Sequence, residues 1–285
     1  MHKIVIAASA ATFLVILLYV SYILRIGRRN DYGRLFTSLL MTLPLSALAF
    51  YTFRLPLDHL VRWIVSNDSG IYKLIALIST PLIEEPIKLL PLFFPFLYLR
   101  VTKENFVSYG MALGVGFGIG KIWLTAFRSS QVPEHLFLPL GYVLLGFVAE
   151  WLIVCLLHGA FTSLVLSRLH RGLGWSLAGA MGLNLLAFLP VNLVEMNVWR
   201  SNTLLLRTYL PLYLIFFFVL MILLLIFLRA GKKGLLQMFS RAEVLCPECE
   251  RSYKRSYWMT HISAKDSETC PKCGSRNIID FKDKP

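Results

Sequence analysis

Acidic residues are scarce in this chain: 285 residues hold 16 Asp and Glu against 29 Lys and Arg, a formal net charge of +13. In so apolar a chain, that excess reads first as membrane orientation and contact with anionic lipid, not as nucleic-acid binding. Internal repeats are absent, which argues against the common transporter architectures. No low-complexity tract is present beyond the apolar runs. The first 24 residues begin like a signal peptide but lack a clean small-residue cleavage site before the basic residues, so they read as a retained first helix. Cysteine is sparse as well. Four of the five lie in two CxxC pairs near the C-terminus, and Cys155 stands alone in an apolar run. What the chain has in excess is hydrophobicity: 56% of its residues are apolar and the mean hydropathy is +0.64. Soluble domains run at about 45–50%.

The apolar residues fall into seven segments, at about 4–24, 35–53, 71–98, 107–127, 140–167, 173–195 and 208–228. Each is long enough to cross the roughly 30 Å hydrocarbon core at about 1.5 Å per residue. The expected fold is an all-α polytopic membrane protein of about seven transmembrane helices, with a small β-rich C-terminal domain. Residues 55–69 read as an interfacial amphipathic helix, with Leu57, Leu60, Val61, Ile64 and Val65 on one face and Trp63 near the interface. The third segment contains Pro81, Pro86, Pro91 and Pro95, which should kink or divide it. Basic residues cluster after segments one (Arg25, Arg28, Arg29, Arg34), three (Arg100, Lys103), five (Arg168, Arg171) and seven (Arg229, Lys232, Lys233). The opposite loops hold Arg54, Arg62, Arg128, Arg200 and Arg207, more thinly spread. The bias places the chain in the cell membrane with its N-terminus outside and its tail in the cytoplasm.

The tail carries Cys246-Pro-Glu-Cys249 and Cys270-Pro-Lys-Cys273-Gly274. Each CxxC turn presents two thiolates to one ion, and two turns complete a tetrahedron. So short a domain cannot bury an adequate core, so a metal has to supply folding energy. The expectation is a structural zinc ribbon in residues 236–285, following a membrane domain in residues 1–235. Four ligands leave no open coordination position, so the ribbon is not expected to be catalytic. Protein docking, or a lid over the membrane site, is preferred to nucleic-acid binding despite the basic and aromatic stretch Tyr253, Lys254, Arg255, Tyr257 and Trp258.

Glu84 and Glu85 lie at the centre of the third segment, with Lys88 behind them. A charge at bilayer depth costs about 2.5–3.5 kcal/mol on insertion scales, so these groups need partners or a wet cavity. Segment four places Gly110, Gly114 and Gly118 four residues apart, a spacing that lets a neighbouring backbone approach closely. It also carries Lys121, which helix packing does not explain. In segment five, His158 and Thr162 share a helix face, and Glu150 lies two turns before His158. Glu84, Glu85, Lys88, Lys121 and His158 are therefore expected to converge in one polar cavity. Lys121 should pair with Glu84, Glu85 or Glu150.

The sequence Glu84-Glu85-Pro-Ile-Lys88, the glycine-rich Tyr109–Phe117 stretch and His158 with Thr162 together resemble the motifs of the PrsW family. These are intramembrane proteases related to the CAAX-protease and bacteriocin-processing superfamily. The resemblance covers roughly residues 71–195. It implies a helical membrane core that cleaves membrane-anchored protein substrates such as anti-sigma factors. The site residues it implies are Glu84, Glu85, Lys88, His158, Thr162 and the position of Lys121. At that position the family carries a glutamate, four residues after a phenylalanine, and this chain has Lys121 four residues after Phe117. Relatives often show a histidine before a late asparagine, where this chain has Phe188 and Asn192.

Glu84 or Glu85 would serve as base, with His158 as metal ligand or as oxyanion donor together with Thr162. Glu84, Glu85 and His158 would leave one position open on a second metal of unknown identity. Two readings stay open. One is an intramembrane endopeptidase of metallo- or glutamic type, in which Glu150 replaces the missing acid or Lys121 joins the chemistry. The other is a non-catalytic pseudoprotease, a scaffold or regulator whose groove binds a membrane segment.

Overall fold

The computed structural model describes residues 3–26, 31–65, 69–102, 105–131, 140–170, 172–195, 212–224, 241–246, 248–256 and 267–278. Among these, helices dominate. α1 (Lys3–Ile26) buries Ala7, Ala8, Ala11, Val15, Tyr19 and Ile23 and exposes Phe13, Leu14, Leu17 and Leu18. A helix apolar on every side suits lipid on one face and protein on the other. α2 (Tyr32–Thr42) and α3 (Leu45–Leu48) lead into a π-turn (Ala49–Arg54) and α4 (Leu55–Ile64). The helix expected at 55–69 is present as α4, over Leu55–Ile64, continuous with the apolar run that begins at Tyr32. The run passes through a turn at residues 43–44 and the π-turn without leaving helical geometry.

α5 (Gly70–Ile87) starts at Ser69, whose hydroxyl accepts the Tyr72 N–H at 3.1 Å. It contains Pro81 and Pro86 and stops two residues after Glu85. A 3₁₀ turn (Leu90–Phe93) follows, then extended Phe94, and then α6 (Pro95–Tyr98). The residue before a proline disfavours helix, which accounts for the break at Phe94. The proline-rich segment therefore divides beside the acids, as its sequence led us to expect. α7 (Phe106–Ser130), α8 (Leu140–Leu166) and α9 (Leu173–Glu195) are long, and α10 (Leu212–Leu224) is shorter.

Among the described residues, five helices are long and apolar enough to cross a membrane: Lys3–Ile23, Tyr32–Ile64, Phe106–Ser130, Gly146–Leu166 and Leu173–Pro190. Of the seven expected segments, the third is split by its prolines and the seventh is described only over Leu212–Leu224. Many of the loop cations behind the expected orientation (Arg28, Arg29, Lys103, Arg171, Arg200, Arg207, Arg229, Lys232 and Lys233) lie outside the described residues. So does the expected domain boundary at 235.

α7 is the core of the bundle. It packs most extensively on α8 and also on α1, α2 and α3, while α5 packs on α9 and the π-turn. Two glycine rows explain how α7 fits so closely. A Cβ at Gly110, Gly114 or Gly118 would strike Ser163, His158 or Cys155 of α8. At Gly116 or Gly120 it would strike the carbonyls of Leu39 or Leu43. The first row was expected from its spacing; the second serves the α2 side. Gly114→Ala should cost about 1–3 kcal/mol, because its methyl falls on the His158 backbone rather than on a movable side chain. Gly179→Ala, which meets open space, is the control and should be neutral or stabilising in thermal unfolding in detergent.

In the tail, β1 (Arg241–Leu245) pairs antiparallel with β2 (Ser252–Ser256), and β3 (Ser267–Thr269) with β4 (Arg276–Ile278). Each hairpin turn contains one CxxC pair.

Candidate functional site

The break in α5 lets its last turn present Glu84, Glu85 and Lys88 to helices α7, α8 and α9. Glu84, Glu85, Lys88, His158 and Thr162 are all buried. Lys88 is fully enclosed, and its ammonium lies 2.6 Å from Glu85 Oε1 and 2.9 Å from His158 Nδ1. It also sits 5.2 Å from the centre of the Phe117 ring, a cation–π distance. Lys121 of α7 chelates Glu84, at 2.8 Å from Oε1 and 3.0 Å from Oε2. The two acids are thus matched one to one by two lysines, which removes the cost of isolated charges in an apolar setting.

The five residues expected to converge do so, and the partner of Lys121 is Glu84. Glu150 is exposed on α8 and has its own interactions. Thr162 donates to the His158 carbonyl at 2.9 Å, so its proton is used within α8. Phe188 stacks at a tilt on His158 with ring centres 5.8 Å apart, and Phe117 meets the imidazole edge-on at 5.6 Å. Two aromatic rings thus pack against the imidazole. The side chain of Asn192 lies outside the described residues.

Asn184 of α9 joins the cluster without having been singled out from the sequence. Its Nδ2 donates to Glu85 Oε1 at 2.5 Å, and the residue is buried. The available signal was a lone amide in an otherwise apolar stretch, Leu183–Leu186.

Two consequences follow from hydrogen-bond bookkeeping. First, an ammonium is a donor only. Because Lys88 donates to Nδ1, neutral His158 carries its proton on Nε2. That Nε2 is buried and has no partner among the described residues. Second, Glu85 Oε1 accepts from both Lys88 and Asn184, whereas Oε2 is buried and unpartnered among the described residues. The cluster therefore presents one unused donor and one unused acceptor. Buried groups of this kind are rare and costly unless a water or a ligand satisfies them. The donor set does not fit a divalent metal ion. Ammonium groups occupy both carboxylates, and the imidazole nitrogen facing Glu85's lysine is already an acceptor for it.

A shallow cleft of about 50 Å³ lies beside this cluster. Buried Glu84 and half-buried Lys121 form its inner end, and Ser46, Phe50, Arg54, Thr80, Thr125 and exposed Arg128 are among the residues lining it.

In the tail, the Cys246, Cys249, Cys270 and Cys273 sulfurs all lie within 4.8 Å of one another, close enough to hold a metal ion. The two turns repeat each other. Cys246 N donates to Arg251 O and Glu250 N to Cys246 O, at 3.1 and 2.8 Å. Cys270 N donates to Ser275 O and Gly274 N to Cys270 O, at 2.8 and 2.9 Å. Glu250 and Gly274 both adopt positive φ, 53° and 75°, the left-handed conformation that closes each turn. Hydrogen bonds from the Ser275 hydroxyl and backbone hold the Cys273 thiol below its ordinary pKa, which favours the thiolate.

No family model, curated protein or solved structure matches this chain.

Proposed function

We propose that the protein is a PrsW-like intramembrane peptidase of glutamate type, acting on membrane-anchored polypeptides, with a zinc ribbon at its C-terminal end. The observation that carries the reading is the pair of unused atoms, Glu85 Oε2 and His158 Nε2, on either side of the Lys88 bridge. Glu85 Oε2 takes a proton from water, and the resulting hydroxide oxygen bonds to the peptide carbonyl carbon. The carbonyl oxygen becomes an oxyanion and accepts the His158 Nε2–H, the kind of contact that stabilises such intermediates most. The proton on Glu85 then passes to the leaving nitrogen as the C–N bond breaks, leaving a carboxylic acid and an amine. Lys88 and Asn184 fix the orientation of the base and the tautomer of the imidazole.

The zinc assignment rests on geometry. A tetrahedral ion with Zn–S bonds of about 2.3 Å needs sulfurs about 3.8 Å apart. The Cys246–Cys273 and Cys249–Cys270 sulfur distances are 3.8 and 3.9 Å.

A second reading, a non-catalytic receptor for membrane segments, is favoured by one specific observation. Lys121 stands at the motif position of a glutamate and neutralises Glu84. Comparing new protein N-termini in membranes from cells expressing wild type or Glu85→Gln separates the two. The peptidase reading predicts neo-N-termini that fall by about 10²–10⁴-fold in the variant. Identical profiles, with Lys121→Glu instead creating new ends, would establish the receptor reading.

A further inference from the structure

We propose that the cleft leading to Glu84 and Lys121 is a binding track for an acidic polypeptide flank, with Arg54 and Arg128 as its carboxylate-binding residues. This rests on the reading of the site as one that takes a membrane-anchored polypeptide, and it adds a sequence requirement to that polypeptide.

The cations at the cleft are unevenly satisfied. Lys121, at the inner end, is matched by Glu84. Arg54 and Arg128, which also line the cleft, have no carboxylate partner among the described residues. The nearest acid in sequence to Arg54 on its own helical run, Asp58, is committed to Arg62 and the Tyr72 hydroxyl, each at 3.3 Å. Arg128 is steadied instead by the Phe50 ring, 4.5 Å from the guanidinium carbon to the ring centre. That contact holds the charge in place and leaves its N–H groups free to bind an anion in bidentate fashion.

The wall of the cleft also offers acceptors to a polypeptide backbone. The Ser46 and Thr80 hydroxyls donate to the carbonyls of Leu43 and Ala76 at 3.3 Å each. Their oxygens therefore remain acceptors, suited to backbone N–H groups, which an acyl chain does not have. The Glu84 carboxylate at the inner end is a further acceptor and would repel a headgroup phosphate placed there.

The spacing sets the register. Lys121 and Arg128 are seven residues apart on one helix, about 10 Å along its axis. An extended chain covers that length in about three residues. The preferred polypeptide therefore carries Asp or Glu about three residues from the stretch that lies against Lys121.

The test is a binding measurement on the full-length protein in detergent, so it is independent of cleavage. The probes are two fluorescein-labelled peptides, each a 20-residue Leu/Ala span followed by either Gly-Gly-Asp-Asp-Gly or Gly-Gly-Asn-Asn-Gly. The acidic peptide should bind wild type about tenfold more tightly, and Glu85→Gln should keep that preference. Arg54→Gln/Arg128→Gln should abolish the preference, whereas Arg54→Lys/Arg128→Lys, which retains the charge, should preserve most of it. Equal affinity for the two peptides, or no binding of either, overturns the proposal. So does loss of the preference when phosphatidylglycerol is added to the micelles, because the cleft would then be a lipid headgroup site. A protein that shows the charge preference but cuts nothing would leave this inference standing and remove only the peptidase chemistry.

Discussion

Lys88→Met is expected to destabilise the membrane domain by about 3–5 kcal/mol, measured by thermal or denaturant unfolding in detergent. Lys88 is fully enclosed, and its ammonium links Glu85 to His158. Removing it strands a buried carboxylate and frees the imidazole to change tautomer. The magnitude comes from the uncompensated charge rather than from the bond itself, which gives a sharper second result. Glu85→Gln/Lys88→Met, which removes both charges, should recover much of the loss. A double variant as unstable as Lys88→Met would mean that packing around the lysine stem, not charge pairing, dominates.

The second large effect concerns the tail. Zinc binding to such four-cysteine sites is worth about 10–16 kcal/mol and is inseparable from folding. Chelation of the purified protein should release one zinc per chain and make residues 241–278 susceptible to proteolysis, while the unfolding of the membrane helices is unchanged. Cys270→Ser should reproduce the chelated state. A tail that resists protease after complete metal removal would show that the two hairpins fold without the ion.

Parts of this architecture were legible in the sequence because cost makes them visible. Charges in an apolar run must find one another, so the convergence of Glu84, Glu85, Lys88, Lys121 and His158 follows from transfer energetics alone. The row at Gly110, Gly114 and Gly118 was visible for a similar reason: a repeat of four marks one helix face. Gly116 and Gly120 obey the same rule, but they read as part of one glycine-rich stretch, and only the position of α2 shows that they form a second face. Asn184 was missed because a lone amide in an apolar helix carries no pattern; its meaning lies wholly in the carboxylate opposite. The single run from Tyr32 to Ile64 reads as two pieces in the sequence, divided at Arg54, because Arg54, Asp58 and Arg62 interrupt the apolar pattern. The π-turn that carries the helix past them leaves no mark in hydrophobic periodicity.

The glycine contacts of α7 also determine which parts of the molecule can give way. Side chains can change rotamer to relieve a contact, but two backbones touching through glycine have nothing to rotate. α7 is held in this way by α8 on one side and by the α2–α3 stretch on the other, so those elements form a fixed frame. Among the described residues, α5 has no such contact with α7. It leans on α9 and the π-turn, and at its C-terminal end side chains tie it to the frame: Glu84 to Lys121 and Lys88 to Phe117 on α7, and Lys88 to His158 on α8. The polar cluster is therefore the fastening of α5: it is held by side chains that can change rotamer, where α8 and α2 are held by backbone.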